Sequence, residues 1–486
     1  MKFTNPILNA DYSDPDIIKG KNGYYLISSS FNYVPGIPVL YSKDLVNYKL
    51  VNYVIDKLPQ FYNKVRPSNG VWAPSIKYNN GVYYCFIPFP DKGIYYSTCK
   101  NPIKDKWSKL KPLLLGKGYE DPTVLFENGK AYLIFAFVKS RIGFNSKLGL
   151  IEFNEGLTKR LTKDYKIIFD GTNSTPVIEG PKVYKIRGYY YIFAPAFGVE
   201  HGKQLILRSK NIYGPYEYKI VLEESKDINM NGPHQGGLVH INKNNYAFIH
   251  FSYDDFLGRV VNLEPAIYNP LTKWFELGNN GYPIINGEIQ TKEHNEFKLN
   301  YSDNFKSKKL NLIWQTPGNV NPSFTKPTSK GLILNTQKKN KNICIRDFTY
   351  VLSQKFSSNN FISTLKFNIK NLKDNCSFGF TILGKKYMYI LLTNKADKTI
   401  VSFYSNDNSS KDKLEKSFIF NKIVESEIKL DYSNSGLFSI SLNNTDCKFS
   451  YSAIKEHYIG LRIGIFTYGN NLSSSVKLLD YKIKEK

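Results

Sequence analysis

Three acids in this chain stand in matching local contexts: Asp14 in YSDPDII, Asp121 in GYEDPTV and Glu179 in VIEGPKV. Each lies one or two residues before a proline that opens a short apolar run. Proline is well placed at the first residue of a strand, but a carboxylate there needs a partner or a task. Two carboxyls across a sugar bond can hydrolyse it: one donates a proton to the leaving oxygen and the other activates water. A third negative charge nearby raises a carboxyl's pKa and helps keep the acid protonated near neutral pH. Gathered carboxylates also suit a hard cation such as Ca2+, and a lone Asp before Pro is ordinarily a turn or cap residue. The chemistry therefore depends on whether the fold brings the three together.

Repetition indicates that it does. Five segments share one plan: DPDIIKGKNGYYLISSSF, APSIKYNNGVYYCFIPF, DPTVLFENGKAYLIFAF, GPKVYKIRGYYYIFAPA and GPHQGGLVHINKNNYAFIHFS. Each has a small or acidic residue, a proline, a short apolar strand, a turn of Asn, Gly, Lys or Arg, and a second aromatic strand, which is a hairpin signature. The prolines (Pro15, Pro74, Pro122, Pro181, Pro233) are 48 to 59 residues apart. The fifth copy is the weakest, with Asn244 where glycine would stand. Further strand pairs, such as IPVLYSKDLVNYKLV and QLILRSKNIYGPYEYKIV, fill the gaps. Five four-stranded units at this period predict an all-β, five-bladed β-propeller over residues 1–290. The first strand of each blade lines the central channel, so the residues that open these strands converge: Asp14, Trp72 with Ala73, Asp121, Glu179 and His234. A Trp face suits the apolar face of a sugar ring.

Composition narrows the function classes. The chain has 486 residues, too long for one ordinary core. Its formal charge of +25 invites a nucleic-acid reading. The lysines are spread along the whole chain beside many asparagines, with no dense basic arm, so solubility is the expected consequence and no nucleic-acid partner is predicted. No apolar run reaches membrane-spanning length, so no membrane partner is predicted either. The opening MKFTNPILNADYSDP lacks the apolar core of a signal peptide. Five scattered cysteines without metal-ligand spacing suit free thiols, and a cytoplasmic location is expected. A homo-oligomer stays open.

The blocks NPILNADYSDPDII, SSSFNYVPGIPVLYSKDLVNY, GVWAPSIKY, DPTVLFENGKAYL, IEGPKVYKIRGYYYIFAPA, NGPHQGGLV and GRVVNLEP resemble glycoside hydrolase family 43, nearest its β-xylosidase/α-L-arabinofuranosidase group. The resemblance covers residues 5 to about 290. It implies hydrolysis with inversion, with Asp14 as general base, Glu179 as general acid and Asp121 orienting the acid and tuning its pKa. It also implies that Phe31, Trp72, Ala73, His234 and Arg259 line the substrate subsite, with Arg259 a cation that holds the base ionised. Strand alternation would send Asp16 to the side of Asp14, but the family pattern puts the base immediately before proline. His234 is expected to contact sugar or a channel ion, His250 to pack in its strand, and His201 to face solvent. No cofactor is required, and no metal ligand is assigned; a Ca2+ or other ion in the propeller channel stays open.

Beyond NGYPIINGEIQ the pattern changes. Residues 291–308 are polar and charged and read as a linker. Over 309–486, alternating strands such as GLILNT, STLKFNIKNL, CSFGFTIL and RIGIFTY predict a β-sandwich of jelly-roll type. By resemblance it is the domain that accompanies this family group, packs on the propeller and lends a loop to the rim of the site. The expected partner is an oligosaccharide attacked from its chain end. The rivals are a sugar-binding propeller without activity, which should have lost an acid, a fructan-cleaving propeller, whose Trp-Met-Asn-Asp-Pro and Arg-Asp-Pro blocks do not appear, and a propeller phosphorylase, which needs a basic phosphate pocket.

Overall fold

Each proline-to-glycine segment folds as a hairpin, and two more strands extend it. In the computed structural model, which describes residues 1–62, 66–225, 230–294, 297–340, 342–433, 436–444 and 447–486, this gives five four-stranded antiparallel sheets, each with its strands in chain order. The innermost strands are Asp16–Lys19, Ser75–Asn79, Tyr119–Glu127, Lys182–Ile186 and His234–Asn242. Two-residue turns close three of the hairpins, with positive φ at both central positions: Asn80-Gly81, Asn128-Gly129 and Arg187-Gly188. That conformation matches the twist of the flanking strands, and asparagine and glycine adopt it most readily. The blades pack through their aromatic residues; Phe86, Phe135, Phe193 and Phe248 are fully buried.

The N-terminal segment secures the last blade. Lys2–Thr4 pairs with Asn286–Glu288, Leu8 bridges Val261, and Asn5 Nδ2 donates to the carbonyls of Leu263 and Ile284 at 2.9 and 2.8 Å. This fixes the chain just ahead of Asp14.

The C-terminal part is a sandwich of a seven-stranded and a six-stranded antiparallel sheet. Phe361, Phe367, Phe378 and Phe380, at alternating positions, are fully buried in its core. That core also takes in Leu257 and Val260 of the propeller, while Phe31 and Tyr33 pack with Ile459 of the sandwich. The segment read as a linker, 291–308, is seated against both parts. Phe297 lies under the ammonium of Lys49, 4.2 Å from the ring centroid. The Tyr301 and Tyr12 hydroxyls are 3.3 Å apart, Asp303 bridges Tyr481, and Phe305 is part of the sandwich core; residues 295 and 296 lie outside the described ones. Among the described residues, no helix is long and apolar enough to cross a membrane.

Candidate active site

Asp14 and Asp121 are both buried and both hold positive φ, 52° and 50°, immediately before proline. Non-glycine residues are uncommon there, and such strain gathers at functional sites. The bend aims both carboxyls at the mouth of the channel. One pocket, with about 100 Å3 of free space, is lined by Asp14, Phe31, Trp72, Ala73, Asp121, Glu179, His234 and Arg259. These are all eight residues singled out from the sequence. Glu120, Val199, Gln235 and Tyr458 complete the lining. A larger cleft of about 470 Å3 between the N-terminal segment and residues 297–301 has Glu485 as its only acid among the described residues, so it offers no carboxyl pair.

Asp14 is held from two sides. Its Oδ1 accepts from Arg259 Nη1 at 2.6 Å and its Oδ2 from the Ser29 hydroxyl at 2.5 Å. The Arg259 guanidinium lies between two rings, 4.7 Å from the Phe251 centroid and 5.2 Å from that of Tyr458. Asp121 Oδ2 accepts from the backbone N–H of Gly180 at 2.8 Å, so it grips the residue next to Glu179. Burial first, then the charges of Glu179 and Asp14, push the Asp121 carboxyl up to about 8, while the Lys182 ammonium and the Gly180 N–H oppose the rise. Glu179, with its side chain 24% exposed, stands nearer the rim, and its Oε1 lies 3.3 Å from His234 Nε2. That contact is close but not aligned as a hydrogen bond: both ring nitrogens of His234, Gln235 Nε2 and Arg259 Nε are buried without hydrogen-bond partners. Unpaired buried donors are costly, and a ligand rich in hydroxyls would satisfy them.

An aromatic wall completes the pocket. Phe31, also at positive φ (51°), exchanges two 2.9 Å backbone hydrogen bonds with Val71, which seats the neighbouring Trp72. Tyr458 of the sandwich stacks on Phe31 with centroids 6.0 Å apart and meets Trp72 edge-on at 6.0 Å. The loop carrying Tyr458 is seated through two glycines. A Cβ on Gly460 would lie 2.1 Å from the Leu257 carbonyl oxygen, and one on Gly258 2.6 Å from Gly460 N. The Gly460 N–H also reaches Asp11 Oδ2 at 3.3 Å.

Beneath the acids, Lys182 is fully buried, donates to the Pro74 carbonyl at 3.2 Å and lies 3.8 Å from Asp16 Oδ2. Asp16 also accepts from the backbone N–H groups of Ile17 and Ile76, both at 2.9 Å. Asp16 is thus a structural anion joining blades one, two and four. At Asp16 the Lys182 ammonium already neutralises the carboxylate, so this position does not suit a Ca2+ ligand. No cluster of three His, Cys, Asp or Glu placed to hold a metal occurs among the described residues. His250 is fully buried, with Nε2 3.3 Å from Glu264, and His201 is exposed beside Glu224, both as expected.

Comparison with known proteins agrees with this architecture. The family description "Glycosyl hydrolases family 43" matches residues 3–270, and "Beta xylosidase C-terminal Concanavalin A-like domain" matches residues 302–481. A putative beta-xylosidase of Xylanibacter ruminicola is 36% identical over 257 residues, 52% of this chain and 47% of that protein. A beta-xylosidase of Formosa agariphila is 32% identical over 372 residues, 66% of this chain and 60% of that protein. A non-reducing end alpha-L-arabinofuranosidase of Bacteroides ovatus is 34% identical over 225 residues, 44% of this chain and 40% of that protein. The chain thus spans about half the length of the curated relatives it matches. Among solved structures, Bacteroides ovatus Xyloglucan PUL GH43B superposes with a TM-score of 0.86 at 21% identity, covering 100% of both chains. The GH43 BlXynB protein of Bacillus licheniformis superposes with a TM-score of 0.84 at 19% identity, again over 100% of both.

Proposed function

Because this chain belongs to glycosyl hydrolases family 43, we propose that it is an exo-acting, inverting glycosidase. It releases terminal pentoses, β-D-xylose or α-L-arabinofuranose, from short xylan- or arabinan-derived oligosaccharides. Asp14 is the general base: Arg259 and Ser29 hold its carboxylate in place at the pocket, where a remaining lone pair accepts the proton of the attacking water. Glu179, nearer the rim, is the general acid and protonates the leaving oxygen. Asp121 positions that acid through Gly180. Phe31, Trp72 and Ala73 take the apolar face of the sugar, and His234 and Arg259 its hydroxyls.

The observation that carries the reading is the single pocket in which these acids, the unpaired buried donors and the sandwich's Tyr458 meet. A wall supplied by a second domain favours chain ends over the middle of a polymer. The names of the relatives support pentosides as the substrate class. Arg259 is engaged by Asp14, which weighs against a phosphate pocket and the phosphorolytic alternative. No metal is part of the proposal, since Lys182 supplies the channel's positive charge. The buried thiols Cys85, Cys99, Cys344 and Cys376 support a reducing cytoplasm as its compartment.

The test is a panel of aryl β-D-xyloside, aryl α-L-arabinofuranoside and short arabinoxylan fragments, with and without phosphate and chelator. NMR should follow the anomer first released. Release of inverted pentose that ignores phosphate and chelator is expected. A retained anomer, a phosphate requirement or no release from any pentoside would overturn the proposal.

A further inference from the structure

The pocket holds a fourth acid that the roles above leave unused. Glu120 precedes Asp121 in the strand Tyr119–Glu127. Consecutive residues of a regular strand point to opposite faces, so two neighbours should not share one pocket. Here the register shifts between Glu120 and Thr123, and Asp121 has a φ of 50°. A bulge of this kind re-aims side chains, and both carboxyls line the same cavity. Glu120 is also deep: it is 8% exposed, close to the 5% of Asp14 and of Asp121. Its carboxyl makes no hydrogen bond or ion pair among the described residues. Around it stand Asp121, Glu179 and Asp14, with Arg141 of the short helix Lys139–Ile142 opposing them and Tyr458 across the rim. Arg141 is itself engaged, its Nε 3.0 Å from Asp91 Oδ1 and its guanidinium 5.9 Å from the Trp72 ring centroid.

Resting on the proposed function, we infer that Glu120 is a specificity-determining residue that reads the terminal sugar through a hydrogen bond from its carboxyl to a ring hydroxyl. Its burial, like that of Asp14 and unlike the partly exposed Glu179, favours the terminal sugar over the one beyond the cleaved bond. Burial first, then the neighbouring Asp121, Glu179 and Asp14, push its carboxyl well above the usual range, a direction that favours a protonated carboxyl able to donate. Four ionised acids would otherwise crowd the floor with charge, since the nearby cations Arg259, Arg141 and Lys182 are already engaged by Asp14, Asp91 and Asp16.

The test compares Glu120→Leu and Glu120→Gln in the full chain, using the 4-nitrophenyl pentoside that the unmodified chain turns over fastest and the matching disaccharide. Glu120→Leu should lose about tenfold in kcat/KM on both substrates, as for one lost buried hydrogen bond. Glu120→Gln keeps a donor that does not ionise. It should recover part of that loss, and its alkaline limb should reach to higher pH than that of the unmodified chain. An alkaline limb moved to lower pH would show Glu120 acting as a fixed negative charge and would overturn the inference. So would a loss confined to the disaccharide, or a Glu120→Leu chain with unchanged kcat/KM. If the unmodified chain hydrolyses no pentoside, the proposed function fails and the inference with it; unmodified turnover with an indifferent Glu120 fails the inference alone.

Discussion

The propeller supplies its functional side chains by repetition. Five blades open at equivalent points on one channel, and a carboxyl, an indole or an imidazole placed there arrives at the same pocket. The sandwich contributes through one loop, which carries Tyr458 between the strands Cys447–Ser452 and Arg462–Tyr468. The first route is local, so each acid is set by the few residues that lead into its own blade. The second is long-range, so Tyr458 is in place only if the whole sandwich docks. The difference teaches that chemistry and shape are separately encoded here: the propeller carries the acids, and the sandwich decides how closed the site is.

Removing the sandwich should have the largest effect. A chain ending at Glu288 would bare Leu257, Val260, Phe31 and Tyr33, and exposed apolar surface of this kind promotes aggregation. Loss of soluble protein, or of activity on short substrates, is the expected result. Soluble, monomeric and fully active protein in gel filtration and a pentoside assay would break the comparison by making the second route dispensable.

Next come the acids. Asp14→Asn and Glu179→Gln should each lose roughly 100- to 10,000-fold in turnover while staying folded. In the first case the amide oxygen still accepts from Arg259, which guards against the cost of a bare buried cation. Turnover near that of the unmodified chain in either variant would remove the residue from its role. Tyr458→Ala should cost far less. Its ring contacts with Phe31 and Trp72 are worth roughly 0.5–1.5 kcal/mol, about two- to tenfold in kcat/KM. A loss as deep as that of Asp14→Asn would mean that the sandwich carries chemistry after all.

The smallest effect concerns stability. Asp121 holds its proton up to about pH 8 in the fold, against about 3.9 in an unfolded chain. The folded form therefore binds more protons between these values, and this group's contribution to stability is lost as pH rises from about 4 through 8. Asp121→Asn keeps an oxygen that can accept from the Gly180 N–H and should melt higher, with a gain in Tm that grows from pH 4 and levels off above pH 8. A gain independent of pH would show that the carboxyl is neither buried nor crowded as described.

The two routes also explain what the sequence discloses. Proline, a strand, a turn of Asn, Gly, Lys or Arg and an aromatic strand recur within about 20 residues in each blade, so the propeller and its three acids could be read directly. Gln235 follows His234, and regular strand alternation hides it; the register shift between His234 and Gly236 lets both line the pocket. Arg141 gave no such signal, because it sits on a four-residue helix outside the repeat. Tyr458 was out of reach for another reason. Its loop touches Asp11 through Gly460, 449 residues away, and no local pattern says which of many loops will do that. Within the sandwich, the strand Lys413–Asn421 lacks the alternation that betrays a strand, because it is an edge strand exposed along most of its length.

The back-to-back glycines Gly258 and Gly460 bear on how the molecule is made. Synthesis runs from the N-terminus, so Arg259 emerges about 200 residues before Gly460. At about 5–20 residues per second, the propeller spends roughly 10–40 s with its sandwich-facing side bare and its pocket open. Closure of the pocket is then a property that appears late, with the loop at 457–460. Until that loop arrives, Leu257, Val260 and Phe31 form a surface that a chaperone would have reason to hold.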